Sequence, residues 1–408
     1  MSDHPNTQAL PASADIVIIG AGVNGLATAF ELSKRNAGRI VVLERKFIGA
    51  GASGKSGALV RQHYTNVPEA KLTLESLKVF TNWREYVGHG DCGFEQPGFL
   101  RIVAPDDEAN LRENVADLQE GGIRTWVITP EETAELEPLL YVGDISAAAF
   151  EPDAGYADPN ATMFGYATAA AANGVTIVTD CEAISVQTDG GKVTGVVTAQ
   201  GTIACGQVLI AAGAFADKLL TPLGLDIGLT PYKSQVVLFR HPISMDSTRK
   251  HRVVIDTITE AWLRPEGANT TLIGIEFPDR KADPDDYPQF PQPDYVAQCH
   301  AALARRFPVF ENATMRGGWT GMYMMSPDHH PIIGRMDGYD GLFVMSGDSG
   351  ACFKTAPATG MALSELMVDG EAKVIDLHPF RPSRFAEGQP WVDPRPYGAH
   401  GHELSISR

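Results

Sequence analysis

Three glycines and one acid supply the first chemistry legible in this 408-residue chain. Gly20, Gly22 and Gly25 stand at G-x-G-x-x-G spacing, and Glu44 follows about 20 residues beyond the last of them. Positions without side chains at that spacing allow a tight turn, a close approach of the main chain to a pyrophosphate, and tight packing of the helix that follows. A carboxylate at the Glu44 position can accept hydrogen bonds from a ribose hydroxyl. The pattern therefore points to an adenine dinucleotide, with a purely structural βαβ unit as the alternative.

The elements that must position these residues are present in order. Ile16–Ile19 is an unbroken apolar run suited to a parallel strand buried on both faces. A helix is expected from about Gly22 to Lys34, with Leu26, Ala29, Phe30 and Leu32 facing the sheet. Gly38 marks the turn after it, and Ile40–Leu43 forms a second apolar strand that stops at Glu44.

Composition narrows the function classes. The chain carries 33 Lys+Arg against 50 Asp+Glu, a net charge of -17, which argues against nucleic acid or an anionic membrane as the main partner. Cys92, Cys181, Cys205, Cys299 and Cys352 are odd in number and scattered, with no C-x-x-C pair, so neither a zinc site nor a disulfide framework is expected. Residues 1–14 lack the basic start and apolar core of a signal peptide, and the segment from Ile16 to Phe30 is too short and too interrupted to span a bilayer. A cytoplasmic protein of two domains is expected.

Further along the chain, Arg45–Tyr64 is a loop rich in small residues that includes Ser53 and Gly54. Such a loop directly after the second strand can pass beside a large planar cofactor. A solvent-exposed linker is the alternative, against which Leu59, Val60, Arg61 and Tyr64 are bulky. Helical patterns cover about Glu69–Tyr86, Asp107–Glu120, Ala161–Asn173 and Tyr295–Phe307. Val208–Ile210 reads as another buried strand, and Ala211, Ala212 and Gly213 after it leave room for a cofactor or simply for a strand-to-helix turn. From Thr221 to about Gly318 the pattern becomes alternating strands (Ser234–Phe239, Val253–Thr257, Ala261–Arg264 and Thr270–Glu276), indicating an antiparallel sheet. Gly341–Met345 returns to a buried strand. The turn after it carries Gly347, Gly350, Cys352 and Lys354 and enters a helix whose positive end gathers there. Residues beyond Phe385 read as an arm or a loose tail.

Taken together, the glycine motif with Glu44, GASGKSGALVRQHY, VLIAAGAFA and PIIG…GLFVMSGDSGACFKTAPATG resemble the D-amino-acid oxidase superfamily of FAD enzymes, in its sarcosine-oxidase and glycine-oxidase-like branch. The resemblance covers most of residues 14–385. It implies an α/β plus α+β architecture: a discontinuous Rossmann-like FAD-binding domain from residues 14–90, 147–220 and 330–385, and a mainly antiparallel substrate domain from 91–146 and 221–329, with residues 386–408 as the arm. It implies FAD held by Gly20, Gly22, Gly25, Glu44, Arg45, Ser53, Gly54, Ala212, Gly213, Gly347, Gly350, Cys352 and Lys354.

Flavin amine oxidation asks little acid–base work of a protein. The substrate must be oriented, its carboxylate anchored and bulk water excluded. Arg61 suits bidentate anchoring and Lys354 a point charge, and both match the resembled family's carboxylate-binding positions. Paired surface cations are the plainer alternative. Tyr323, Met322 and Met325 are reasonable pocket walls, as are Tyr232 and Trp262, though core packing fits these as well. His63 reads as structural in preference to a polar contact or a flavin linkage. Adjacent His329 and His330 are poor geometry for a metal, and no metal is expected. Two departures stand out. Gly321 occupies the position where covalent sarcosine oxidases carry a cysteine, so FAD is expected to be non-covalent. Leu272 stands where oxidases of this branch carry a lysine that promotes reaction with O2, so another electron acceptor or a partner subunit becomes plausible, unless Lys55 substitutes. The expected activity is oxidation of the C–N bond of an amino acid or N-substituted amino acid. The rivals are the flavin subunit of a multi-chain amine dehydrogenase and a non-catalytic dinucleotide-binding protein; a homo-oligomer is also compatible.

Overall fold

The computed structural model of the chain describes residues 10–245, 250–276 and 280–398. Ile16–Ile19 lies between Gln207–Ile210 and Ile40–Leu43, parallel to both, which explains why all four of its residues are apolar and buried. The full six-stranded order is Ile332–Arg335, Leu342–Ser346, Gln207–Ile210, Ile16–Ile19, Ile40–Leu43, Thr176–Val178. Only the first pair in that order is antiparallel. One face packs Ile16, Ile18, Ile40 and Val42 against helices Val23–Lys34, Pro159–Ala172 and Ala356–Asp369. The other packs Val17, Ile19, Val208 and Ile210 against a small antiparallel sheet (Ala183–Asp189, Lys192–Thr198, Gly201–Ala204) and the short helix Ala216–Leu220.

The second large sheet has eight strands, in the order Thr314–Met325, Thr230–Arg240, Thr270–Ile275, Ala261–Glu266, Val253–Asp256, Phe99–Ile102, Ala148–Glu151, Trp126–Ile128. All its pairings are antiparallel except that of Val253–Asp256 with Phe99–Ile102. Leu100, Ile102, Val237, Val254, Leu263 and Ile273 point to the helix Pro293–Arg306 and form one core. The alternate residues Phe99, Ile255 and Trp262 pack toward Leu59 and Tyr156 instead.

Three readings of the sequence change. Ala148–Glu151 pairs with Phe99–Ile102 and Trp126–Ile128, so the eight-stranded sheet claims residues that the division at 147 placed with the nucleotide-binding part. The helix expected over Glu69–Tyr86 is broken at Asn82 into Val67–Thr81 and Trp83–Tyr86. The terminal stretch is not loose as far as residue 398: Trp391 stacks on His330 with centroids 4.3 Å apart, and Tyr397 is fully buried. Residues 399–408 lie outside the described residues.

Candidate active site

The first turn folds as its glycines require. Gly20 has φ +113°, and a Cβ there would lie 2.4 Å from the Ala211 carbonyl oxygen. At Gly25 a Cβ would lie 2.1 Å from the Gly20 carbonyl oxygen, so that residue serves helix-to-turn packing. Glu44 braces the same turn: one carboxylate oxygen accepts the Ala21 N–H at 3.1 Å, the other the Lys46 N–H at 2.9 Å. Ser53 Oγ accepts the Val23 N–H at 3.1 Å, which ties the Arg45–Tyr64 loop to the start of the first helix.

These elements border a cleft of about 460 Å³ lined by Gly20, Gly22, Glu44, Arg45, Ser53, Ala212, Gly213 and Gly347 among others. Arg45 lies over the Phe215 ring at 3.6 Å. Across the mouth, Asp285 pairs with Arg45 at 3.5 Å and with Lys218, bringing a loop of the eight-stranded sheet over the nucleotide turn. Tyr287 and Gln289 of that loop accept from Lys55 Nζ at 3.0 and 3.1 Å.

A second space of about 140 Å³ adjoins the first, since Asn24, Ser53, Lys55, Met322 and Asp348 line both. Its walls include Arg61, Trp262, Glu276, Gly321, Tyr323, Gly350, Cys352 and Lys354. Arg61 and Lys354, far apart in sequence, meet at Tyr64. The Arg61 guanidinium lies 4.3 Å from that ring's centroid and donates to the His63 carbonyl. Lys354 Nζ donates to Tyr64 Oη at 3.2 Å and to the Ala351 carbonyl at 3.0 Å. Both cations are buried. Tyr323 Oη accepts from Arg280, which also lies 3.9 Å from Glu276.

Beneath Arg61, Glu151 accepts the Gln62 N–H at 3.0 Å. Burial pushes the Glu151 carboxyl up to about 7, a rise only partly offset by that N–H and by the Arg61 charge. Burial, reinforced by Arg101 and Arg61, holds His63 well below its ordinary value, so its imidazole is neutral. The Cys352 thiol is raised well above its ordinary value by burial, then by Asp348 and Glu69. The closing helix offers fewer spare donors than its position suggests. The Ala358 N–H goes to Ser76 Oγ at 3.1 Å and that of Ala356 to the Phe353 carbonyl, while Pro357 has none.

A family model described as DAO, FAD dependent oxidoreductase, matches residues 15–366. The chain belongs to this FAD-dependent oxidoreductase family. Among curated proteins of similar sequence, sarcosine oxidase subunit beta of Arthrobacter sp is 28% identical over 389 residues, 92% of either chain. Glycine oxidase of Geobacillus kaustophilus is 27% identical over 379 residues, covering 91% of this chain and 97% of that one. Among solved structures, L-proline dehydrogenase from P. horikoshii superposes with a TM-score of 0.86 at 28% identity, covering 94% of this chain and 100% of that one. The chain is an FAD-dependent enzyme with a mixed α/β fold shared with these relatives.

The residues present fit the cofactor of this FAD-dependent family. The Gly20 turn leaves no room for a Cβ, the Glu44 carboxylate sits against the same turn, and the adjoining clefts are continuous. Of the residues expected to hold FAD, Gly25 and Gly54 line neither cleft; a Cβ on Gly54 would lie 2.3 Å from the Gly49 carbonyl oxygen, so its part is to close the loop. Of the suggested walls, Met322, Tyr323 and Trp262 line the smaller space, whereas Tyr232 and Met325 do not. His330 faces carboxylates, with Nδ1 2.8 Å from Glu69 and Nε2 3.5 Å from Asp393. Glu276, Asn24 and Asp348 escaped the sequence reading. Glu276 ends a buried strand as Glu44 does, a signal that was there to be used.

Proposed function

We propose that this chain oxidises the C–N bond of an amino acid or an N-substituted amino acid. The observation that carries this reading is the meeting of two buried cations, Arg61 and Lys354, in a small space continuous with the dinucleotide cleft. When bound, FAD supplies the two-electron acceptor for the C–H beside the amine nitrogen, leaving an imine that water hydrolyses. Arg61 and Lys354 anchor the substrate carboxylate, the first through a planar fork and the second as a point charge. Tyr64 holds the two at a fixed separation. Trp262, Met322 and Tyr323 wall off water and orient the amine end. The names of the relatives, a sarcosine oxidase subunit, a glycine oxidase and an L-proline dehydrogenase, support a small amino-acid substrate.

The cofactor is non-covalent in this reading: Gly321 has no side chain, and the raised Cys352 thiol stays protonated and unreactive. The nucleotide-binding and substrate parts follow the two large sheets, with the boundary after Glu151. Buried, unpaired cysteines support a reducing compartment such as the cytoplasm. A second reading, the flavin subunit of a multi-chain dehydrogenase, is favoured by Leu272. It is buried in the eight-stranded sheet at the position where the resembled oxidases carry lysine, and the name "subunit beta" of one relative points the same way.

Anaerobic mixing of the yellow holoenzyme with a panel of N-methyl, D-, L- and cyclic amino acids tests both. Bleaching of the flavin band by at least one is expected. No bleaching by any member would overturn the redox reading. Rapid return of colour in air would refute the non-oxygen acceptor.

A further inference from the structure

We infer that the C-terminal strap, residues 389–398, belongs to the substrate-anchoring apparatus, with Tyr397 as the residue that positions Arg61. This rests on the carboxylate-anchoring reading above.

The stretch from Arg61 to Asn66 carries both Arg61 and Tyr64, and the strap grips it at three points. Tyr397 Oη lies 3.0 Å from His63 Nε2. One oxygen of Asp393 accepts from Thr65 Oγ1 at 2.8 Å, the other from Asn66 Nδ2 at 3.0 Å. The strap is itself anchored upstream: the Trp391 N–H donates at 2.9 Å to Asp328, whose carboxylate is clasped by Arg384 at 2.7 and 2.8 Å.

The hydrogen bonds that reach Tyr397 start at Arg395. Arg395 Nε donates to Asn114 Oδ1 at 3.1 Å, which fixes the amide orientation. Asn114 Nδ2, a donor only, then gives to Tyr397 Oη at 2.7 Å. Tyr397 Oη shares its other hydrogen bond with Nε2 of the neutral His63 imidazole, the tautomer deciding which of the two donates. The carbonyl of this same His63 receives the Arg61 guanidinium. The chain of contacts therefore runs Arg395, Asn114, Tyr397, His63, Arg61.

Tyr397 also faces a second cation. The Arg101 guanidinium lies 4.6 Å from its ring centroid, is fully buried, and none of its nitrogens has a hydrogen-bond partner among the described residues. Arg101 shares a sheet face with Ile255, its cross-strand neighbour and a wall of the smaller space. The ring thus compensates one buried guanidinium while the hydroxyl holds the imidazole of the residue whose carbonyl receives the other.

The test uses FAD-loaded, full-length enzyme and propionate, a carboxylate with no amine to oxidise, titrated by the change in flavin absorbance. Tyr397→Phe keeps the ring over Arg101 and removes the hydroxyl. We expect propionate to bind about 5- to 10-fold more weakly, KM for a bleaching amino acid to rise by the same factor, and kcat to stay within about twofold. Added to Arg61→Met, the change should cause no further loss, because the two act as one unit. Asn114→Leu interrupts the same chain of donors and carries the test if Tyr397→Phe does not fold. Unchanged propionate affinity, or losses additive with Arg61→Met, would reduce Tyr397 to a packing residue and overturn the inference. An Arg61→Met enzyme that binds propionate as well as the wild type, or a wild type that does not bind it, would instead bring down the anchoring reading and this inference with it.

Discussion

Arg61→Met separates an anchor from a brace, because the two roles predict opposite balances of affinity and stability. Arg61 is 3% exposed and forms no ion pair among the described residues; its contacts are the His63 carbonyl and the Tyr64 face. A bound carboxylate would be its charge partner, and a charge-assisted contact contributes roughly 1.5–3 kcal/mol, so methionine should weaken propionate binding by roughly 10- to 150-fold. Without ligand the ledger differs. Methionine forfeits a hydrogen bond and a ring contact but relieves the cost of burying a guanidinium, itself several kcal/mol. The melting temperature of the ligand-free holoenzyme should therefore stay within a few degrees of wild type or rise. Thermal melts with and without saturating propionate, alongside absorbance titrations, read both quantities: the wild type should be stabilised by the ligand and the variant far less. A variant that melts much earlier yet binds propionate normally would refute the anchor and make Arg61 a structural brace.

Three further perturbations probe the surroundings. Glu151 holds its proton up to about 7 when folded, against an ordinary 4.5, so the folded state binds more protons in that window. Stability is full below it and falls by roughly 3 kcal/mol as pH rises through about 7, and Glu151→Gln should flatten the dependence in urea unfolding at several pH values; parallel curves would contradict this. Gly20→Ala forces a side chain into φ +113° and against the Ala211 carbonyl, so the purified protein should carry well under one FAD per chain by absorbance, and full loading would refute the close-approach role. Asp285→Ala removes the acid shared by Arg45 and Lys218 across the cleft mouth. FAD release followed by fluorescence should quicken a few-fold with under about 1 kcal/mol of stability lost, and added salt should mimic the change in the wild type. An unchanged release rate would mean the loop does not retain the cofactor.

What could be read in the sequence were features encoded within about thirty residues. The Gly20 turn, the Glu44 strand end and the closing turn each declare themselves through local steric demands, since a positive φ or a missing Cβ leaves a residue-type signature. Arg61 and Lys354 are suggested by chemistry and resemblance, but their meeting at Tyr64 is not, because nothing local records which distant segments come together. Gly54 shows a second demand that can place a glycine in such a loop: a Cβ there would meet the loop's own backbone at Gly49. Arm and loose tail could not be told apart for the strap, because its proline, glycine and polar content masks two large anchors, Trp391 and Tyr397, that find their partners only in the folded molecule. The same holds for Ala148–Glu151, whose sheet is chosen by cross-strand partners on either side rather than by its own residues.

The strand order of the six-stranded sheet also governs when this protein can acquire activity during its synthesis. Gln207–Ile210 lies next to the early strand Ile16–Ile19, but its other neighbour, Leu342–Ser346, emerges from the ribosome only after the strands of the eight-stranded sheet. The nucleotide cleft therefore stays open on one side until the second large sheet has been made. On the inference drawn for Tyr397, the adjoining substrate space waits longer still, for a residue beyond Leu342–Ser346. If that inference holds, a nascent chain stalled short of that residue would complete its six-stranded sheet before its substrate anchor.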